Sequence, residues 1–76
     1  MISELDQVVL AENFPEKGLQ AGDIGTIVLV HQGGKGYEVE FMAMDGSTIA
    51  IVTLHAKQVR AIRRGQIAHV RDLVAV

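Results

Sequence analysis

The sequence is short of several residue types on which small proteins often depend. It contains no cysteine, so neither a disulfide framework nor a cysteine-based zinc site can supplement its core. Its 76 residues include one proline and only three aromatics, Phe14, Tyr37 and Phe41. Because hydrophobic residues still make up 49% of the chain, aliphatic side chains must supply most of the burial. This composition predicts one small domain of modest stability.

Long hydrophobic runs are also missing. No apolar run approaches the ~20 residues that a membrane span needs. Residues 1–6 lack the basic and apolar regions of a secretory signal. These features predict a cytoplasmic protein.

Charge is divided unevenly along the chain. Residues 1–50 hold two lysines and eight carboxylates, a balance of −6. Residues 51–76 hold five basic residues and one carboxylate, a balance of +4, which leaves a net charge of −2. A chain polarised in this way can fold its ends together, dimerise head to tail, or offer its basic end to an acidic partner. Ordinary solvated surface charge is the other interpretation of the same pattern, including the basic residues near the C-terminus.

Hydrophobic patterning predicts five short strands, at residues 7–10, 26–30, 37–41, 48–54 and 59–62. The second of these is the most apolar, and its bounding glycines and β-branched residues favour a strand covered on both faces. The third alternates strictly, which places Tyr37, Val39 and Phe41 in the core and the two intervening glutamates in water.

Turn residues supply the connections between these strands. Residues 11–19 contain Pro15 and predict a long loop. Asp45-Gly46 predicts a tight turn that pairs the third and fourth strands antiparallel. Residues 55–58 have the length of a single 3₁₀ turn. Together these elements predict a mainly β fold, a small, five-stranded, partly open barrel over residues 1–62.

The C-terminal extension, residues 63–76, does not fit that plan. Its apolar residues recur at helical spacing, but their β-branched character also permits an extra strand. Such a stripe must be covered by the barrel or by another molecule, so it is a predicted oligomer interface. The residues concerned are Ile67, Val70, Leu73 and Val74.

The side chains that could support catalysis are scattered. His31, His55 and His69 have neither the spacing of a metal motif nor a neighbouring nucleophile. Neither serine lies in a Gly-x-Ser-x-Gly setting. We therefore expect a binding protein, with no enzymatic activity, no cofactor and no metal.

A basic cluster is the sharpest functional signal. Arginine suits both carboxylates and phosphates, so the partner could be an acidic protein surface or a nucleic acid. The sequence pI of about 5.8 and the shortage of stacking aromatics make nucleic acid the alternative. The predicted partner-binding residues are four arginines, Arg60, Arg63, Arg64 and Arg71, and the loop residues Phe14, Pro15 and Glu16.

Two motifs carry a resemblance to a known family. Pro-Glu-Lys-Gly-Leu at residues 15–19 and Gly-Asp-Ile-Gly-Thr at residues 22–26 stand in the order seen in a short bacterial family, domain of unknown function 4926. The chain resembles this family from about Leu5 to Ile62. The resemblance implies an SH3-like barrel and a non-enzymatic accessory role, of an antitoxin or immunity-like kind with a toxin-like or enzyme partner. It implies no role for residues 63–76.

Overall fold

The computed structural model describes residues 1–73. They form one antiparallel sheet with the strand order β4-β3-β2-β1-β5. Its edges, β4 and β5, do not pair with each other in this part of the chain, so the sheet is open. The mainly β prediction is confirmed. The strands are β1 (Gln7–Leu10), β2 (Ile24–His31), β3 (Gly36–Met42), β4 (Thr48–His55) and β5 (Val59–Ala61), and 3₁₀ turns lie at Pro15–Lys17 and Ala56–Gln58.

The core is formed by the inward face of the sheet. Tyr37, Val39 and Phe41 are all buried, as their alternation predicts. At the centre of the sheet, Val39 pairs with Ile27 of β2 on one side and with Val52 of β4 on the other. The long loop, residues 11–23, adds the buried side chain of Leu19. Burial of these aliphatic and aromatic groups stabilises the sheet without any cysteine.

The prediction that β2 is covered on both faces is wrong. Val28 is 39% exposed and Leu29 is 44% exposed. The register with β3 shifts between Ile27 and Leu29, which makes Val28 the extra residue of a bulge. Beyond the bulge Leu29 lies on the outward face, where the described part of the chain provides no second layer.

Gly25 allows β2 to approach the centre of the core. A β-carbon at this position would lie 2.5 Å from Cγ1 of Val39 and 2.9 Å from Cε1 of Phe41. Both distances are shorter than carbon atoms tolerate. The glycine is therefore required by the packing of β3 against β2.

In its described part, residues 63–73, the C-terminal extension is neither of the two alternatives predicted for it. Residues 62–73 contain a turn at residues 64–65 but no helix and no strand. Its local backbone hydrogen bond joins Gln66 N to Arg63 O at 3.3 Å. The spacing of its apolar residues was not enough to predict the structure of the extension, because its path depends on tertiary contacts and not on local periodicity. Val74 lies outside the described residues.

No helix of residues 1–73 has the length and apolar character that crossing a membrane requires.

Candidate interaction surface

Asp23 closes the long loop immediately before β2. Its backbone oxygen accepts a hydrogen bond from Leu10 N at 2.8 Å, which ties the end of the loop to β1. Its carboxylate Oδ2 accepts another from Gln20 N at 2.9 Å, a turn geometry that aspartate favours. The carboxylate is therefore fixed in place by local structure.

Arg71 binds that carboxylate from 48 residues away in the sequence. Its Nε donates to Oδ1 of Asp23 at 2.8 Å, and its Nη2 donates to Oδ2 at 2.6 Å. Nη2 also donates to the backbone oxygen of Gly18 at 3.0 Å. This is the two-pronged geometry in which guanidinium and carboxylate groups match best. The contact holds the C-terminal extension against the long loop.

The ion pair shifts the titration of both partners. Burial opposes ionisation of Asp23, but the hydrogen bonds from Arg71 and Gln20 outweigh it, so the pKa of Asp23 is lowered. The hydrogen bond to Asp23 raises the pKa of Arg71. Both groups are charged at neutral pH, and their side chains are 17% and 25% exposed.

Leu73 also lies next to the long loop, at Gly18. Its Cδ1 would lie 3.9 Å from a β-carbon added at Gly18. Gly18 has a φ of 72°, in the left-handed region that favours glycine, and it ends the 3₁₀ turn at Pro15–Lys17. The left-handed φ, and not crowding by Leu73, is therefore what favours glycine at position 18.

After β5 the extension exposes apolar side chains. Ile67 is 93% exposed and Val70 is 69% exposed, while Leu73 is 51% exposed although it lies next to Gly18. We call residues 63–73 the tail. An exposed apolar group is ordinary when it occurs singly, but several on one anchored segment are typical of an interaction site.

Three of the predicted arginines lie in the first residues of the tail or just before it. Arg60 is in β5, and Arg63 and Arg64 follow it at the start of the tail. All three are exposed, and none forms an ion pair with residues 1–73. Arg71 differs from them, because its guanidinium is occupied by Asp23.

The aromatic residue of the predicted contact loop is partly withdrawn from solvent. Phe14 is half-buried and packs against the core, and it forms an isolated bridge with Leu19. Pro15 and Glu16 are exposed and begin the 3₁₀ turn. Because Arg71 binds the backbone oxygen of Gly18 and Leu73 lies next to it, the structure brings the predicted loop and tail regions together.

The sequence analysis did not predict a polar network that lies on the outward face of the sheet. Oε2 of Glu38 accepts a hydrogen bond from Thr53 Oγ1 at 2.6 Å and lies 2.8 Å from His31 Nε2. The hydrogen bond from Thr53, followed by that from His31, lowers the pKa of Glu38. The alternation in β3 indicated an outward Glu38, but its partners depend on the registers of β2 and β4.

An open depression of about 400 Å³ lies beside this network, between the β2–β3 turn and the end of β4. His31 and His55 line it on either side of Gly36, and Lys35 lies at its margin. In residues 1–73 no three histidine or carboxylate side chains converge in a way that could hold a metal ion.

Comparison with known proteins identifies the family. The family model described as Domain of unknown function (DUF4926) matches residues 4–61. The chain belongs to this family. The DUF4926 match ends in β5, so Asp23 and Gly18 lie within it, whereas Arg71 and the rest of the tail lie beyond it. No curated protein and no solved structure matches the chain.

Proposed function

We propose that this DUF4926 protein is a protein-binding accessory module that acts by association and not by catalysis. The observation that carries the proposal is the anchored tail. Arg71 holds one end of the tail on the long loop, where Leu73 lies next to Gly18, and β5 holds the other. A segment fixed at both ends loses less conformational entropy on binding than a free one does.

The chemistry of the surface supports one kind of protein partner. Ile67 and Val70 offer apolar area, and Arg60, Arg63 and Arg64 offer exposed positive charge. A complementary protein would have an apolar groove with a carboxylate-rich rim. A toxin-like protein or an enzyme with such a groove would fit this description.

An SH3-like barrel is our finer proposal for the fold. A long first loop, a 3₁₀ turn before the last strand and pairing of β1 with both β2 and β5 support it.

The aromatic side chains argue against proline-rich peptides as ligands of this protein. Tyr37 and Phe41 are buried, and Phe14 is half-buried. Such peptides dock in grooves lined by exposed aromatics.

Nucleic acid is the alternative partner, favoured by the three exposed arginines. Its backbone would bind them with an affinity that falls steeply as salt is added. The same buried aromatics leave few platforms for base stacking.

The test is capture of partners from cells of the source organism by the full chain, tagged at its exposed N-terminus. The wild type is compared with Ile67→Ser/Val70→Ser, with Arg60→Glu/Arg63→Glu/Arg64→Glu, and with Met44→Ser, each with and without nuclease. Met44 is a matched control because it is 89% exposed but lies in the β3–β4 turn.

We expect a stoichiometric protein that resists nuclease, is retained by Met44→Ser, and is lost with the tail variant. The arginine variant should retain it weakly. Equal retention by the tail variant would contradict the proposal. Loss on nuclease treatment would establish the nucleic-acid alternative instead.

A further inference from the structure

The two edges of the sheet differ in how they are protected. β5 has three residues and carries Arg60, so it is both short and charged. β4 has eight residues, and Thr48–His55 contains no lysine, arginine, carboxylate or proline. Natural edge strands are usually short, charged or interrupted, because a long uncharged edge pairs with other strands. A bulge at Ile49 interrupts β4 near its start, but from Ala50 to Leu54 the strand has none of these protections.

The backbone groups at the free edge of β4 can be assigned from its pairing with β3. Ala56 N donates to Lys35 O, in the same register that pairs Tyr37 with Leu54 and Val39 with Val52. Since hydrogen-bonded pairs alternate along an antiparallel ladder, Leu54 and Val52 bond to β3. Ile51 and Thr53 therefore direct their N–H and C=O groups to the free edge.

Only registers that join outward-directed residues can form hydrogen bonds across this edge. When β4 pairs antiparallel with β4 of a second copy, Ile51 can stand opposite Ile51 of that copy and exchange two hydrogen bonds with it. The side chain of Ile51 is 55% exposed in the single chain, so the pairing also covers apolar surface at the centre.

Charge complementarity favours the same register. Asp45 lies in the turn before β4 and Lys57 in the 3₁₀ turn after it, each six residues from Ile51. An antiparallel arrangement centred on Ile51 brings the end carrying Asp45 of one copy beside the end carrying Lys57 of the other. Both side chains are exposed, and no ion pair within residues 1–73 involves either of them.

We propose that the β4 edge is a homodimerisation site at which two copies join their sheets through antiparallel β4–β4 pairing centred on Ile51. β4 and β5 are opposite edges of the sheet, and the tail continues from β5. The proposed dimer site therefore shares no residue with the proposed protein-binding surface.

The first test is sedimentation equilibrium of the wild type and of two lysine variants over a range of protein concentration. Ile51→Lys would place two like charges opposite each other at the dimer centre, where they repel. In the monomer the new lysine would stand opposite Glu40, which favours folding of the variant. Ile67→Lys makes the same change at the exposed tail residue and is the matched control.

We expect the wild type and Ile67→Lys to dimerise with similar affinity, and Ile51→Lys to dimerise at least tenfold more weakly. A wild type that stays monomeric up to millimolar concentration would overturn the proposal. So would dimerisation that Ile67→Lys abolishes and Ile51→Lys leaves intact, since the tail would then be the interface.

A cross-linking test avoids dependence on the lysine variant. The chain has no cysteine, so a single introduced thiol reports on one contact. In the proposed register, the Cα atoms of opposed residues at position 51 are close enough for a disulfide. The two copies of position 53 lie on opposite sides of the dimer centre, each two residues from Ile51, so Thr53→Cys is the control. Rapid oxidation of Ile51→Cys to a dimer, with slow oxidation of Thr53→Cys, is expected. Equal rates would contradict the register.

Discussion

Arg71 and Asp23 join two regions of this protein that are 48 residues apart in the sequence. The guanidinium of Arg71 donates two hydrogen bonds to the carboxylate of Asp23, from Nε at 2.8 Å and from Nη2 at 2.6 Å. The same carboxylate accepts a hydrogen bond from the backbone N–H of Gln20, which orders the long loop locally. The ion pair therefore links the tail to an ordered loop. This pair explains how a segment with neither helix nor strand keeps a defined path.

Replacing Arg71 with alanine should release the tail and lower the stability of the domain. Removal of the guanidinium leaves a partly buried carboxylate without its main partner, and we expect a loss of about 1 kcal/mol in the free energy of unfolding. Urea denaturation measures this change, and limited proteolysis should show faster cleavage in the tail. Arg64→Ala is the control, because Arg64 is exposed and should affect stability little. Identical behaviour of the two variants would refute the anchoring role.

Acid should weaken the same contact. The pKa of Asp23 is below its ordinary value of 3.8 in the folded protein, so the unfolded chain binds more protons in the intervening pH range. The contribution of Asp23 to stability is therefore complete above the unfolded pKa and is lost as the pH falls through the folded one. Urea unfolding between pH 6 and pH 2.5 should show a smaller decline in Asp23→Asn than in the wild type. Parallel pH profiles would show that Asp23 is not the group responsible.

Gly25→Ala should be strongly destabilising. The added methyl group would lie 2.5 Å from Val39 Cγ1, so β2 and β3 would have to move apart at the centre of the core. We expect a loss of about 2 to 3 kcal/mol, as for other overpacked cores. Gly33→Ala is the comparison, because it meets no atom within 4 Å and is opposed only by a φ of +68°. Thermal unfolding that placed the two variants at the same midpoint would contradict this description of the core.

The network on the outward face predicts an NMR titration. The hydrogen bond from Thr53 is the largest influence that lowers the pKa of Glu38, ahead of that from His31. Thr53→Val should therefore raise the carboxyl pKa of Glu38 towards its ordinary value of 4.5, and should do so more than His31→Gln does. The measurement is the carboxyl carbon shift of Glu38 against pH. A larger effect of His31→Gln would reverse this ranking.

Local patterns were sufficient to predict most of the sheet. The alternation at Tyr37, Val39 and Phe41, the Asp45-Gly46 turn and the 3₁₀ turn before β5 depend on neighbouring residues, and all are present in the structure. The exposure of Val28 was missed, because a bulge is set by the partner strand and not by the apolar run itself.

The features of the candidate surface were harder to predict, since they depend on contacts that are distant in sequence. Proximity in the chain groups Arg71 with Arg60, Arg63 and Arg64. Within residues 1–73, however, Arg71 is the only one of the four with a carboxylate partner, and that partner, Asp23, is 48 residues away. The exposure of Ile67 and Val70 agrees with a stripe that needs covering, but the assignments of partner and oligomer interface stay predictions.

The anchored tail is the basis of the proposed function, and nuclear Overhauser measurements on the full-length protein test it most directly. We predict contacts between the Leu73 methyl groups and the Gly18 α-protons in the wild type, and their loss in Asp23→Asn, while the contacts within β2 and β3 persist. Absence of the Leu73–Gly18 contacts in the wild type, with random-coil relaxation throughout residues 63–73, would contradict the account.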